Sequence, residues 1–183
     1  MVEIVTPNLK RLLNDWESWR HGKKFPSRAD FDPVNLKYIL GHLSLIDVTY
    51  DPLQFHYRVY GSFLTQRIGK EMTHKSVDDL PGEGNAERIK THLSQVIQDR
   101  IPMAFLRLHR FQDSDLPRNS ESLMLPLSND GEVINMIMTG VVWDMEEPDL
   151  SPFDHASRID RFGEWQPDTR LDLKAYLSNK ISN

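Results

Sequence analysis

The apolar positions change period along the chain. Between residues 6 and 22 they recur at helical spacing. Leu9, Leu12, Leu13, Trp16 and Trp19 share one face, Thr6 can cap the start, Pro7 suits a first turn and Gly22 suits a stop. A shorter stripe of Leu36, Ile39 and Leu40 begins after Asp32–Pro33 and stops at Gly41. The period then falls to two. Residues 43–50 are rich in β-branched and aromatic side chains, Asp51–Pro52 predicts a turn, and Phe55, Tyr57 and Val59 alternate with polar neighbours. Residues 43–59 therefore read as a β-hairpin. Gly61 breaks the second strand, and 62–68 reads as a short helix closed by Gly69.

Residues 70–84 are irregular, with Pro81, Gly82 and Gly84. A strong helix is predicted over 85–100. Ile89, Leu93, Val96 and Ile97 lie on one face, Asn85 can cap it, and Pro102 prevents continuation. Three strands follow, at 103–111, 121–127 and 133–143, with a polar loop over 112–119 and a tight turn at Asn129–Asp130–Gly131. On the last strand Met136 and Met138 alternate in phase with Ile134, Gly140 and Val142, while Val133, Ile137 and Val141 share the other face with Asn135 and Thr139. Adaptable methionines suit core packing, and Gly140 leaves room for something to approach. Residues 144–152 are acidic and proline-bearing, as in a linker, and a terminal helix is predicted from about 169 to 181 through Leu173, Leu177 and Ile181.

Composition narrows the function classes. The 183 residues hold 22 Lys and Arg against 27 Asp and Glu, a net charge of −5, with a pI near 5.8. That balance argues against a general nucleic-acid surface, which needs a cationic face. Mean hydropathy is −0.52 and no long apolar run occurs, so no membrane span is expected. Residues 1–7 show no basic stretch leading into an apolar run, and a cytoplasmic location is the expectation. The absence of cysteine removes disulfides, a thiol nucleophile and thiolate metal sites.

The remaining chemistry is sparse. The seven histidines, at 21, 42, 56, 74, 92, 109 and 155, never pair at the spacing that sets two ligands on one helix face, so no metal site is expected. Gly82–Glu83–Gly84 fails as a dinucleotide loop, because Glu87 stands where the third glycine belongs. No Gly-x-Ser-x-Gly elbow occurs, and the close pairs Asp30/Asp32 and Asp113/Asp115 sit in turn-like polar segments. No catalytic residue is assigned. Trp16, Trp19 and Arg20 could suggest a membrane-surface helix, but Asp15 and Glu17 interrupt any basic face.

The order helix, two strands, short helices, longer helix, three antiparallel strands resembles that of a PAS domain. Trp16–Glu17–Ser18–Trp19–Arg20 and the string Phe25–Pro26–Ser27–Arg28–Ala29–Asp30–Phe31–Asp32–Pro33 resemble the opening of a family of small bacterial single-PAS proteins. Leu43–Ser44–Leu45–Ile46–Asp47, Phe55–His56–Tyr57–Arg58–Val59–Tyr60–Gly61, Ile68–Gly69–Lys70–Glu71 and Leu125–Pro126–Leu127–Ser128–Asn129–Asp130–Gly131 continue the similarity, which spans about 9–143 and does not extend to 144–183. The resemblance implies an α+β fold, a five-stranded antiparallel sheet with helices over one face of a small cavity. It divides the chain into an N-terminal helical extension (1–29), a PAS-like domain (30–143), and an acidic linker with a C-terminal helix (144–183). It implies a non-catalytic sensory or interaction module in signal transduction, taking a small apolar ligand or a protein partner. The cofactor stays open. The cysteine that attaches flavin in photosensory PAS domains has no counterpart, and haem, which needs an axial histidine, is not expected; His92 is the one position that could serve. The alternative is a small cone-like α+β enzyme of hydratase or isomerase type, which would show a His and a carboxylate projecting inward.

Three expectations follow. Strand alternation and helix spacing aim Phe55, Tyr57, Phe63, Ile68, Ile89, His92, Leu93, Val96, Phe105, Met136 and Met138 at one interior cavity. Arg28, Asp30 and Arg58 are expected to form an ion pair or backbone clamp joining the segment before the first strand to the second strand, with a ligand anion site as runner-up. The apolar stripe of the N-terminal helix needs a cover, either the Val133, Ile137 and Val141 face of its own sheet or the same helix of a second chain; a homodimer through this helix is expected. With no output domain visible, the signal would leave through a signalling protein or the terminal helices.

Overall fold

The computed structural model describes residues 4, 6–111, 114–143, 169–171 and 173. Helix α1 (Pro7–Trp19) leads into three short 3-10 turns and the hairpin of β1 (Leu43–Thr49) and β2 (Gln54–Tyr60). Helices α2 (Ser62–Ile68) and α3 (Asn85–Asp99) follow, then β3 (Met103–Phe111), β4 (Ser114–Leu127), β5 (Met136–Trp143) and β6 (Thr169–Leu171). One antiparallel sheet in the order β2-β1-β5-β4-β3-β6 joins them all. This is the expected α+β PAS-like sheet of five strands, extended by β6 at the β3 edge.

Two boundaries differ for clear reasons. The β3–β4 ladder runs on to the Phe111↔Ser114 pair, so much of the predicted polar loop is paired strand: backbone hydrogen bonding, not apolar pattern, extends it. Residues 169–171 are strand, not helix, because the open edge of β3 accepts them through Ala104↔Leu171 and Leu106↔Thr169. The rest of the predicted terminal helix, and the linker, lie outside the described residues.

Helix α1 lies against β4 and β5. Leu9, Leu12 and Leu13 are fully buried, and the Trp16 indole donates to the Pro126 carbonyl at 2.9 Å. Gly140 makes this approach possible: a Cβ there would stand 2.9 Å from Leu9 Cδ2 and 3.0 Å from Leu12 Cδ2. The space beside Gly140 is therefore filled by the protein's own leucines. The helix start is tied down by Glu121, whose carboxylate accepts from the Thr6 amide at 2.8 Å; the Thr6 side chain itself makes no cap bond. With the stripe buried inside one chain, the exposed apolar surface that motivated a homodimer through this helix is not present.

That docking also corrects the assignment of sheet faces. Met136 and Met138 alternate in phase with Gly140, on the face that α1 covers. The other face carries Phe105, Ser122, Thr139, Val141, Ser44 and Ile46, and it faces α2 and α3. The sheet is thus covered on both sides.

Candidate functional site

A cavity of about 270 Å³ lies between this second face, α2, and the start of α3. Its floor comes from β1 (Ser44, Ile46), β4 (Ser120, Ser122, Met124) and β5 (Thr139, Val141, Trp143). Its roof is Leu64 and Ile68 from α2, with Leu80 and Pro81, and Ile89 from α3. Tyr57 and Tyr60 close the β2 side, their rings in an edge-to-face pair at 4.8 Å. Burial pushes the Tyr57 hydroxyl far above the usual tyrosine range and Tyr60 up to about 12, so both stay protonated and able to donate.

Three arginines enter the wall from three elements: Arg67 of α2, Arg88 of α3 and Arg107 of β3. Among the described residues that form the wall there is no Asp or Glu. Asn85 organises two of them. Its Oδ1 accepts from Arg88 at 3.2 Å and from Arg107 at 3.3 Å. Its Nδ2 donates to the Pro81 carbonyl at 2.7 Å, which fixes the amide. Gly82 permits that bend, since it has φ +91° and any Cβ there would collide with Asn85 Nδ2. Asn85 was expected to cap α3; Gly84 holds the cap position, and the Asn85 side chain is spent on the site. The Arg67 guanidinium carbon sits over the Trp143 ring, 4.5 Å from its centroid.

The residues expected around one interior space divide into four groups. Tyr57, Ile68 and Ile89 form part of the wall. Phe55, Leu93, Val96 and Phe105 are buried core, and His92 stacks on Phe105 with ring centroids 3.8 Å apart. Desolvation, then the charges of Arg88 and Arg107, push His92 down to about 4, so it is neutral at pH 7. Phe63 stacks on His42 instead, at 4.4 Å. Met136 and Met138 belong to the opposite face, as the register with Gly140 requires. The expected clamp is also divided. Asp30 closes a local turn with the Ser27 amide and hydroxyl, at 2.7 and 2.9 Å, and Arg28 covers Phe31. Arg58 instead reaches Asp47 on β1 at 2.9 Å, so the two parts do not meet. Among the described residues no group of three His, Asp or Glu could hold a metal ion.

The arginines escaped the sequence reading because they come singly from separate elements. A usable signal existed on β3, where Met103 and Phe105 set an inward phase and Arg107 falls in it. A charge in phase with a buried face is the exception that asks for a partner.

A family model described as a PAS domain matches residues 4–142. No curated protein matches the chain. Among solved structures, the chain is similar to VqmA of Vibrio cholera, in a complex with ligand and DNA, at 12% identity and a TM-score of 0.43. The alignment covers 72% of this chain and 57% of that one, so this chain spans just over half of VqmA. No described helix is long and apolar enough to cross a membrane.

Proposed function

The chain belongs to the PAS-domain family, and from that premise we propose that it is a non-catalytic sensory module whose cavity takes one small molecule. The observation that carries this reading is the space of about 270 Å³ held open between the sheet and α2 and α3. Its counterpart under α1 is filled by leucines and Trp16. Packed interiors rarely hold such a space unless something occupies it. The lining modifies the expected apolar ligand. Ile46, Leu64, Ile89 and Val141 suit an apolar body, while the serines, tyrosines and arginines suit a polar end. The ligand is therefore amphipathic.

Native mass spectrometry of the full chain, purified without denaturation, tests the reading. The expected result is a small-molecule adduct that is lost on denaturation and absent from Ser122→Phe, whose added ring fills the cavity. An adduct of equal occupancy in Ser122→Phe contradicts it.

A further inference from the structure

Resting on that reading, we propose that the polar end of the ligand is an uncharged hydrogen-bond acceptor, a carbonyl oxygen, held by the Tyr57 hydroxyl and by the spare hydroxyl hydrogen of the Ser44–Thr139 pair. Tyr57 lines the cavity, is 4% exposed, and its hydroxyl meets no hydrogen-bond partner among the described residues. Ser44 and Thr139 also line the cavity and are 2% and 5% exposed. Their hydroxyls bond to each other at 2.6 Å and, among the described residues, to nothing else. Whichever of the two donates, the other keeps its own hydrogen unused. Buried donors are almost always satisfied, and leaving one unmade costs more than a typical bond gains.

The β1–β2 register gathers these groups. Tyr57 and Tyr60 are three residues apart and would point to opposite faces of a regular strand. The ladder passes from Leu45↔Val59 to Ile46↔Tyr57, so Arg58 is the extra residue of a bulge and both tyrosines reach the cavity. Tyr60 then stands opposite Ser44, and Ser44 opposite Thr139, in one row across β2, β1 and β5. The Tyr57 ring joins that row through its edge contact with Tyr60. Burial keeps both phenols protonated. A phenolic oxygen shares a lone pair with its ring, so each hydroxyl is a better donor than acceptor. A carbonyl oxygen offers two lone pairs to such donors and carries no charge whose burial would be costly. The arginines of the wall are engaged by the protein itself, Arg88 and Arg107 with Asn85 and Arg67 over Trp143. Leu64, Ile68 and Ile89 leave the α2 and α3 side of the cavity to the apolar body of the ligand.

Binding of three ring probes to the full chain, followed by NMR at Thr139 and Trp143, tests the proposal. Acetophenone carries the carbonyl, α-methylstyrene has a methylene in place of its oxygen, and benzoate carries a charge. Tyr57→Phe removes the hydroxyl and keeps the ring. It should weaken acetophenone binding roughly tenfold and leave α-methylstyrene binding unchanged, which also shows that the cavity of the variant is intact. The double variant Ser44→Ala with Thr139→Val should likewise weaken acetophenone and spare α-methylstyrene. Benzoate should bind the unmodified chain more weakly than acetophenone. Acetophenone binding that is unchanged in either variant, or weakened no more than that of α-methylstyrene, overturns the carbonyl assignment and leaves the cavity reading standing. Benzoate binding more tightly than acetophenone does the same. Failure of all three probes to shift the cavity resonances overturns the assignment, and if the native adduct is also absent the cavity reading falls with it.

Discussion

The two faces of the sheet are built on opposite plans. Under α1, Leu9, Leu12, Leu13 and Trp16 are buried, Leu9 and Leu12 close against Gly140, and polar atoms are tied by Trp16 to Pro126 and by Thr6 to Glu121. Under α2 and α3, hydroxyls and arginines surround an open volume. Close packing is where folding free energy is gained, because contact with neighbours and removal of apolar area both scale with it. A cavity forgoes that gain. On the proposed reading, the α1 face carries stability and the opposite face recognition.

The largest expected effect breaks the packed face. Trp16→Ala should lower unfolding free energy by about 3–5 kcal/mol, measured by urea titration, since it leaves a large cavity and an unsatisfied Pro126 carbonyl. Gly140→Ala forces a methyl against Leu9 and Leu12, at an expected cost of about 1–3 kcal/mol in the same assay.

A third test uses pH. The His92 ring titrates at about 4 in the folded chain and at about 6.5 when unfolded. Between these values the unfolded chain binds the proton and the folded chain does not. Stability should therefore fall as pH drops from about 6.5 towards 4, by about 2 kcal/mol from this group, with no contribution above that window. His92→Leu should flatten this part of the profile; an unchanged slope would show that His92 is not held neutral. The smallest expected effect is on the open face, where Arg107→Gln should change stability by no more than about 0.5 kcal/mol.

The same asymmetry governs what could be read from the sequence. Helix α1, the β1–β2 hairpin, α2 with its Gly69 stop, α3 and β3 follow from period, β-branched and aromatic content, and punctuation by Gly and Pro. The cavity face of β5 does not, because the sheet is covered on both sides and both phases of 133–142 are apolar. Gly140 was the informative residue, but a gap beside a glycine does not say whether a ligand or a leucine fills it. The docking of α1 decides that, and it is a tertiary fact. Strand β6 was hidden for a similar reason: edge pairing at Ala104 to Leu106 sets its conformation, against a helical pattern.

Measuring stability and small-molecule adduct occupancy together in Trp16→Ala and Ser122→Phe tests the division of labour between the faces most directly. The account predicts that Trp16→Ala loses several kcal/mol of stability while its folded fraction keeps the adduct. Ser122→Phe should stay within about 1 kcal/mol of the unmodified chain in stability while its adduct is lost. If Ser122→Phe unfolds as readily as Trp16→Ala, or carries the adduct at the same occupancy as the unmodified chain, the cavity face is a structural element and the account fails.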